Sequence, residues 1–219
     1  AIRRRADALR GESMTTRQAL TNGVFWRLAL ALTLSTMAAG PVLALMVPAL
    51  TKAGISRELA IAANSSFPLV LAGLRLIMAR FGDSLERRNL MVGCFVCQMV
   101  ATVLLALVNP DLALLMVPAF LVLYGIGFGI PVPIRTTLTA DYFGVNSMGT
   151  IQGILQFLTT IGGVAGPLLL GWLVDATGTY QVGFLVLAAV SFASIPLMLT
   201  LPKAHPRHAP GSQVAPAKA

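Results

Sequence analysis

Charge is what this sequence has least of. Lysine, arginine, aspartate and glutamate together make up 11% of its 219 residues, where soluble domains average about 25%. Hydrophobic residues reach 56% and mean hydropathy is +0.80, so water is not the main solvent. Acids are the scarcest: eight Asp and Glu stand against 16 Lys and Arg, and none of the acids is expected inside an apolar run. His205 and His208 lie in the final stretch without partners spaced for a metal or catalytic site. No Ser/His, Asp/Asp or metal-ligand set occurs in the apolar runs, which excludes a membrane-embedded enzyme and implies no cofactor. The two cysteines, Cys94 and Cys97 in GCFVCQ, lack the strand-helix setting of a redox pair and are read as structural. The net charge of +8 does not indicate nucleic acid, because no basic face interleaved with aromatics exists. The basic residues fall between and outside apolar runs, a pattern that suits membrane loops and anionic lipid.

What is present is a polytopic, all-α membrane pattern. Residues 1–22 are polar, with a capping box at Thr15 and Gln18 that predicts a short surface helix ended by Asn22-Gly23. Phe25, Trp26 and Arg27 come next as an expected interfacial anchor. Six apolar spans, each near the ~20 residues that cross a bilayer, are expected at Phe25–Leu50, Leu59–Met78, Leu90–Val108, Leu112–Ile134, Ile151–Val174 and Val182–Leu199. The domain reading is a loop segment at 1–22, a six-helix bundle at 23–201 and a disordered Pro/Ala tail at 202–219. Apart from Arg75, only Lys52 and Arg57 among the Lys and Arg residues fall on the far side of the membrane. Both termini are therefore expected in the cytoplasm, in a cell (inner or plasma) membrane. The chain opens at Ala1 with charged residues rather than a signal peptide, and reads as a piece of something longer.

Polar and small residues recur inside the spans. Thr33, Thr36 and Gly40 share a face of the first. The fourth reads YGIGFGIPVPIR, with Tyr124, a G-x-x-x-G pair at Gly125 and Gly129, and Pro131 and Pro133 disrupting its end. The fifth aligns Gln152, Gln156, Thr159 and Gly163, with a second G-x-x-x-G at Gly162 and Gly166. The glycines suit close helix packing. For Gln152 and Gln156, packing and a wet, gated cavity are both open. The third and sixth spans are the most uniformly apolar and suit a scaffold or lipid-facing position.

Between the second and third spans the sequence is ARFGDSLERR. It resembles the loop signature of the major facilitator superfamily, G-x-x-x-D-(R/K)-x-G-(R/K)-(R/K). Asp83, Arg87 and Arg88 match, while Ala79, Ser84 and Glu86 depart from it. FWRLALALTLSTMAAGPVLALMVPALTKAGIS and YGIGFGIPVPIRTTLTADYFG look like parts of its monocarboxylate-transporter-like and oxalate/formate-like branch. The resemblance implies the C-terminal six-helix half of a twelve-helix secondary transporter working by alternating access, with spans one, two, four and five lining the path and an N-terminal half missing. It implies a small organic anion such as a monocarboxylate, because that branch binds the carboxylate with an arginine eight residues before the loop acid, where Arg75 stands. The branch often has an acid four residues earlier, where this chain has Leu71, so any proton coupling would draw on the missing half or the solute. Snorkelling of Arg75 is the plain alternative. Alternatives for the whole are a drug or metabolite exporter and a truncated, non-transporting half.

The expected substrate-facing residues are Arg75, Asn64, Thr36, Tyr124, Gln152 and Gln156. The expected gate is Asp83 with Arg87 and Arg88, pairing with Arg135 and with the helix amides near Ser147 to Thr150.

Overall fold

The computed structural model describes residues 14–81, 86–144 and 147–202. They form helices joined by short turns, and no strand occurs among them. Helix α1 (Thr16–Thr21) starts at the expected capping box: the Thr15 amide donates to Gln18 Oε1 at 2.9 Å, and the Gln18 amide returns a bond to Thr15 Oγ1. Asn22 ends α1 and at once starts α2 (Gly23–Lys52), its side chain accepting from the Val24 amide at 3.0 Å. Beyond it lie α3 (Arg57–Phe81), α4 (Arg87–Ala106), a single 3₁₀ turn at Pro110–Leu112, α5 (Ala113–Gly129), α6 (Pro131–Phe143), α7 (Met148–Thr177) and α8 (Tyr180–Leu199). Gly178 ends α7 in the left-handed region (φ 73°), where its N–H reaches the Val174 carbonyl.

Six of these stretches are long and apolar enough to cross a membrane, with α5 and α6 together making the fourth. The protein is thus an all-α, multi-pass membrane protein. All six expected spans are present, and the one large correction falls on the fourth. Its helix does not stop near Ile134. It breaks at Ile130 and restarts, running to Phe143. Proline in a first turn is tolerated because the N–H it lacks has no helical partner there, so Pro131 and Pro133 open a new helix instead of ending the span.

Two further expectations are corrected. Glu58, Asp111, Asp141 and Asp175 all lie within the spans, near their ends. Three of them are exposed, but Asp141 is buried. Phe25, expected in an outward-facing anchor, turns inward. It is fully enclosed, edge-on to Phe143, while Trp26 beside it stays exposed and donates to the Leu20 carbonyl at 2.9 Å.

Helix α2 is the hub, packed against α7, α8 and α3. Its crossing with α7 is built from a reciprocal exchange. Pro41 has no N–H to give the Met37 carbonyl one turn back, and Gly166 of α7 packs over that oxygen. Pro167 likewise frees the Gly163 carbonyl, and Gly40 of α2 packs over it: a β-carbon there would lie 3.1 Å from the oxygen. Gly162 sits against Thr33 in the same seam. The second G-x-x-x-G is therefore a contact between backbones. Gly125 and Gly129 of α5 instead make room for side chains, those of Leu74 and Leu71 of α3. The α4 helix pairs with α8 and α5, which fits the scaffold role expected of the third and sixth spans.

A Gly166→Leu substitution is expected to lower stability by about 1–3 kcal/mol through overpacking, whereas Gly171→Ala, where a β-carbon meets nothing within 4 Å, should be nearly neutral. Thermal unfolding of the detergent-solubilised protein checks both.

Candidate functional site

Beyond Ile130, α6 runs to the end of the bundle that carries Arg87 and Arg88, and that end is tied together by arginine. Arg87, at the start of α4, forms an ion pair with the buried carboxylate of Asp141 in the last turn of α6. Arg88 Nη1 donates to the Leu201 carbonyl at 2.7 Å. Arg27 Nη1 donates to the Thr200 carbonyl at 2.9 Å, and Tyr142 Oη to the Pro202 carbonyl at 2.7 Å. Three successive carbonyls after α8, which its own helix cannot satisfy, are thus capped by donors from α2, α4 and α6.

Deeper in the bundle, α2, α4, α5 and α6 enclose a small cavity of about 70 Å³. Its polar wall is a reciprocal clamp. Gln98 Nε2 donates to the Ser35 carbonyl and Ser35 Oγ donates to Gln98 Oε1, both at 2.8 Å. Gly127 leaves α5 so close to α4 that a β-carbon would sit 2.6 Å from the Gln98 nitrogen. Arg135 closes the α6 side, and its Nη2 donates to Gln156 Oε1 of α7 at 2.9 Å. Arg135 Nε is buried without a hydrogen-bond partner among the described residues, and so is Gln152 Nε2, one turn along α7 from Gln156.

The expected site residues divide among these regions. Thr36 lines the cavity with Arg135, its hydroxyl donating to the Leu32 carbonyl at 2.8 Å. Gln152 and Gln156 stand on the same face of α7 as the Arg135 contact. Asn64 and Arg75 are exposed on α3, away from the cavity lining. Arg75 Nε lies 3.9 Å from where a β-carbon on Gly129 would be, beside the helix break. Tyr124 is fully buried, stacked between Phe120 and Phe128, with its hydroxyl donating to the Ala39 carbonyl at 2.7 Å. No face of it is free for a solute. Asp83 lies outside the described residues. Arg135, its expected partner, is engaged by Gln156, and Arg87 by Asp141.

Sequence reasoning misses Asp141 and the Ser35–Gln98 clamp. Two prolines read as the end of the fourth span leave Asp141 in a loop. Gln98, the lone amide in an apolar span, is the available signal for the clamp.

A six-span bundle with a basic loop after its second span is a known arrangement, and the sequence profile of the Major Facilitator Superfamily matches residues 28–218. The chain belongs to the Major Facilitator Superfamily. Its relatives put it near the monocarboxylate-transporter-like branch. It is 30% identical to monocarboxylate transporter 12 of Mus musculus over 162 residues, covering 71% of this chain and 32% of that protein. It is 28% identical to monocarboxylate transporter 12 of Xenopus laevis over 165 residues, covering 72% of this chain and 34% of that protein. A shorter match, 38% over 56 residues, is to the hexuronate transporter of Bacillus subtilis, covering 25% of this chain and 13% of that protein. The chain spans about a third of the length of the monocarboxylate transporters it matches. The relatives it matches are named as membrane solute transporters.

The Arg87–Asp141 pair yields a signed prediction. Arg87→Ala leaves a buried carboxylate alone and should lower stability by about 2–4 kcal/mol, discounted because the Arg87 side chain is 39% exposed. The double variant Arg87→Ala/Asp141→Ala should be more stable than Arg87→Ala alone. Thermal melts of the three proteins decide it.

Proposed function

We propose that this chain is the C-terminal six-helix half of a secondary transporter that moves a small organic anion, a monocarboxylate in particular, by alternating access. The observation that carries the reading is Arg75. It lies on the exposed face of α3, inside a span, and makes no ion pair among the described residues. A permanent charge placed there without a protein partner is costly unless a solute or a second bundle answers it. A guanidinium answers a carboxylate through two parallel bonds. The relatives support the same chemistry, since monocarboxylates and hexuronates share a carboxylate group.

Other features fit. Helices α3 and α7 are the least covered of the six spans, and Leu69, Leu76, Phe157 and Trp172 on them are largely exposed. Those faces suit an opposing N-terminal bundle, and a span of about a third of the relatives' length leaves room for one. Asn64 shares the Arg75 face, and Pro68 frees its carbonyl, so acceptors and donors stand together along the path. Gln152, Gln156 and Thr36 are the solute contacts expected from the other helices. Asp83, with Arg87 and Arg88, latches the loop side when the path is closed to it. The basic residues put that side, and both termini, in the cytoplasm of a cell (inner or plasma) membrane.

Reconstituted in vesicles with the rest of its transporter, the wild type should take up labelled acetate or propionate. Arg75→Ala should reduce uptake at least tenfold, and Arg75→Lys should retain part of it because the charge stays while the fork is lost. Uptake unchanged in Arg75→Ala would refute the role given to Arg75.

A further inference from the structure

We infer that Gly129 is a positioning residue for the solute: together with Leu71 it forms a notch that fixes where Arg75 points. The inference rests on the reading of Arg75 as the arginine that receives the solute.

Two rows of α3 side chains enter two gaps on α5 that lie one helical turn apart. Phe67, Val70 and Leu74 close on Gly125, where a β-carbon would lie 2.6 Å from Leu74 Cδ1. Leu71 and Arg75 close on Gly129, and these two stand one turn apart on one face of α3. A β-carbon on Gly129 would fall within the Leu71 Cδ1 methyl and would lie 3.9 Å from Arg75 Nε. The same point on α5 therefore seats the end of one side chain and the stem of the other. Two seats a turn apart fix the rotation of α3 about its axis as well as its height against α5.

What the seat does follows from the shape of arginine. Arg75 is exposed and makes no ion pair among the described residues, so no acid among them holds its direction. A long side chain can turn back over its own helix or snorkel toward the helix end. Lying over the bare backbone of Gly129, Nε takes up the stem and leaves the Nη end to turn toward the solute. A carboxylate is best held by two parallel N–H bonds from the guanidinium, and a stem already seated loses less freedom when the solute arrives. Glycine is required at 129 because any side chain there would displace Leu71 and take the space beneath Nε. The notch thus acts on affinity through Arg75, without touching the solute.

The test follows uptake of labelled propionate at graded concentrations, in vesicles that hold the chain with the rest of its transporter. Gly129→Ala should raise KM roughly fivefold while leaving the maximal rate within about twofold. Gly125→Ala meets α3 in the same way, but its nearest neighbours are Leu74, Val70 and Phe67 and not Arg75. It should leave KM unchanged even where it lowers the unfolding midpoint. Placed on Arg75→Lys, Gly129→Ala should change KM by less than about twofold, because no guanidinium is left to aim. Should Gly129→Ala fail to fold, Leu71→Ala carries the decision: it empties the notch without a clash, and the same rise in KM is expected, lost again on Arg75→Lys. An unchanged KM, an equal rise in Gly125→Ala, or a rise of the same size with and without Arg75→Lys would each overturn the notch. The two readings fail separately. Uptake unchanged in Arg75→Ala defeats the role of Arg75 and the notch with it. Uptake lost in Arg75→Ala, with KM in Gly129→Ala equal to the wild type, defeats the notch alone.

Discussion

The bundle depends on two prolines and two glycines exchanged between α2 and α7. A proline inside a membrane helix frees a carbonyl, and hydrocarbon offers that oxygen no water. Here each freed oxygen, on Met37 and on Gly163, faces a glycine of the other helix. Close backbone approach then brings weak Cα–H···O contacts within reach, and dispersion accumulates along the seam. In lipid, burial of apolar surface does little to drive helices together, so such fitted contact has to carry the association. Because α2 also meets α8 and α3, its seat on α7 sets the positions of the others.

The second constraint is the break at Ile130. Ile130 keeps right-handed helical angles (φ −75°, ψ −39°), yet the helix ends there and restarts at Pro131, so α6 carries the fourth span on to Phe143. Along α6, Arg135 meets α7 and Asp141 meets the start of α4. The continuation past Ile130 therefore carries both the cation beside the cavity and the acid of the ion pair at the bundle end. The same break leaves Gly129 facing α3, where Leu71 and Arg75 lie against it. The helix carrying the proposed solute arginine thus meets the end of α5, one residue before the break, at a contact that Gly125 and Gly129 keep narrow.

Much of this is legible in the sequence. Six spans, the capping box at Thr15 and the packing role of Gly162 and Gly166 come from local rules that the membrane enforces strictly. The superfamily can be read from ARFGDSLERR, where an acid and two adjacent arginines fall at the spacing of its loop signature between two spans. Three features are not legible. Whether Pro131 and Pro133 stop a helix or begin one depends on the residues after them, and TTLTADYF is neither apolar enough to read as a span nor polar enough to read as a loop. Reading that stretch as a loop strips Asp141 of its burial and leaves Arg135 free to pair with Asp83. Tyr124 looks available for a solute because a tyrosine in a span needs a partner, and nothing local reveals that Ala39, on another helix, provides it.

The bonds to Thr200, Leu201 and Pro202 have a consequence in time. A ribosome delivers α2, α4 and α6 long before residues 200–202 leave the exit tunnel. Until then Arg27, Arg88 and Tyr142 have no carbonyls to hold. Domains mature from the N-terminal side during synthesis, yet here the turn after α8 supplies the acceptors that draw three earlier helices together. The bundle is thus fastened from its sixth span backward, and its arginine-rich end is the last part to close.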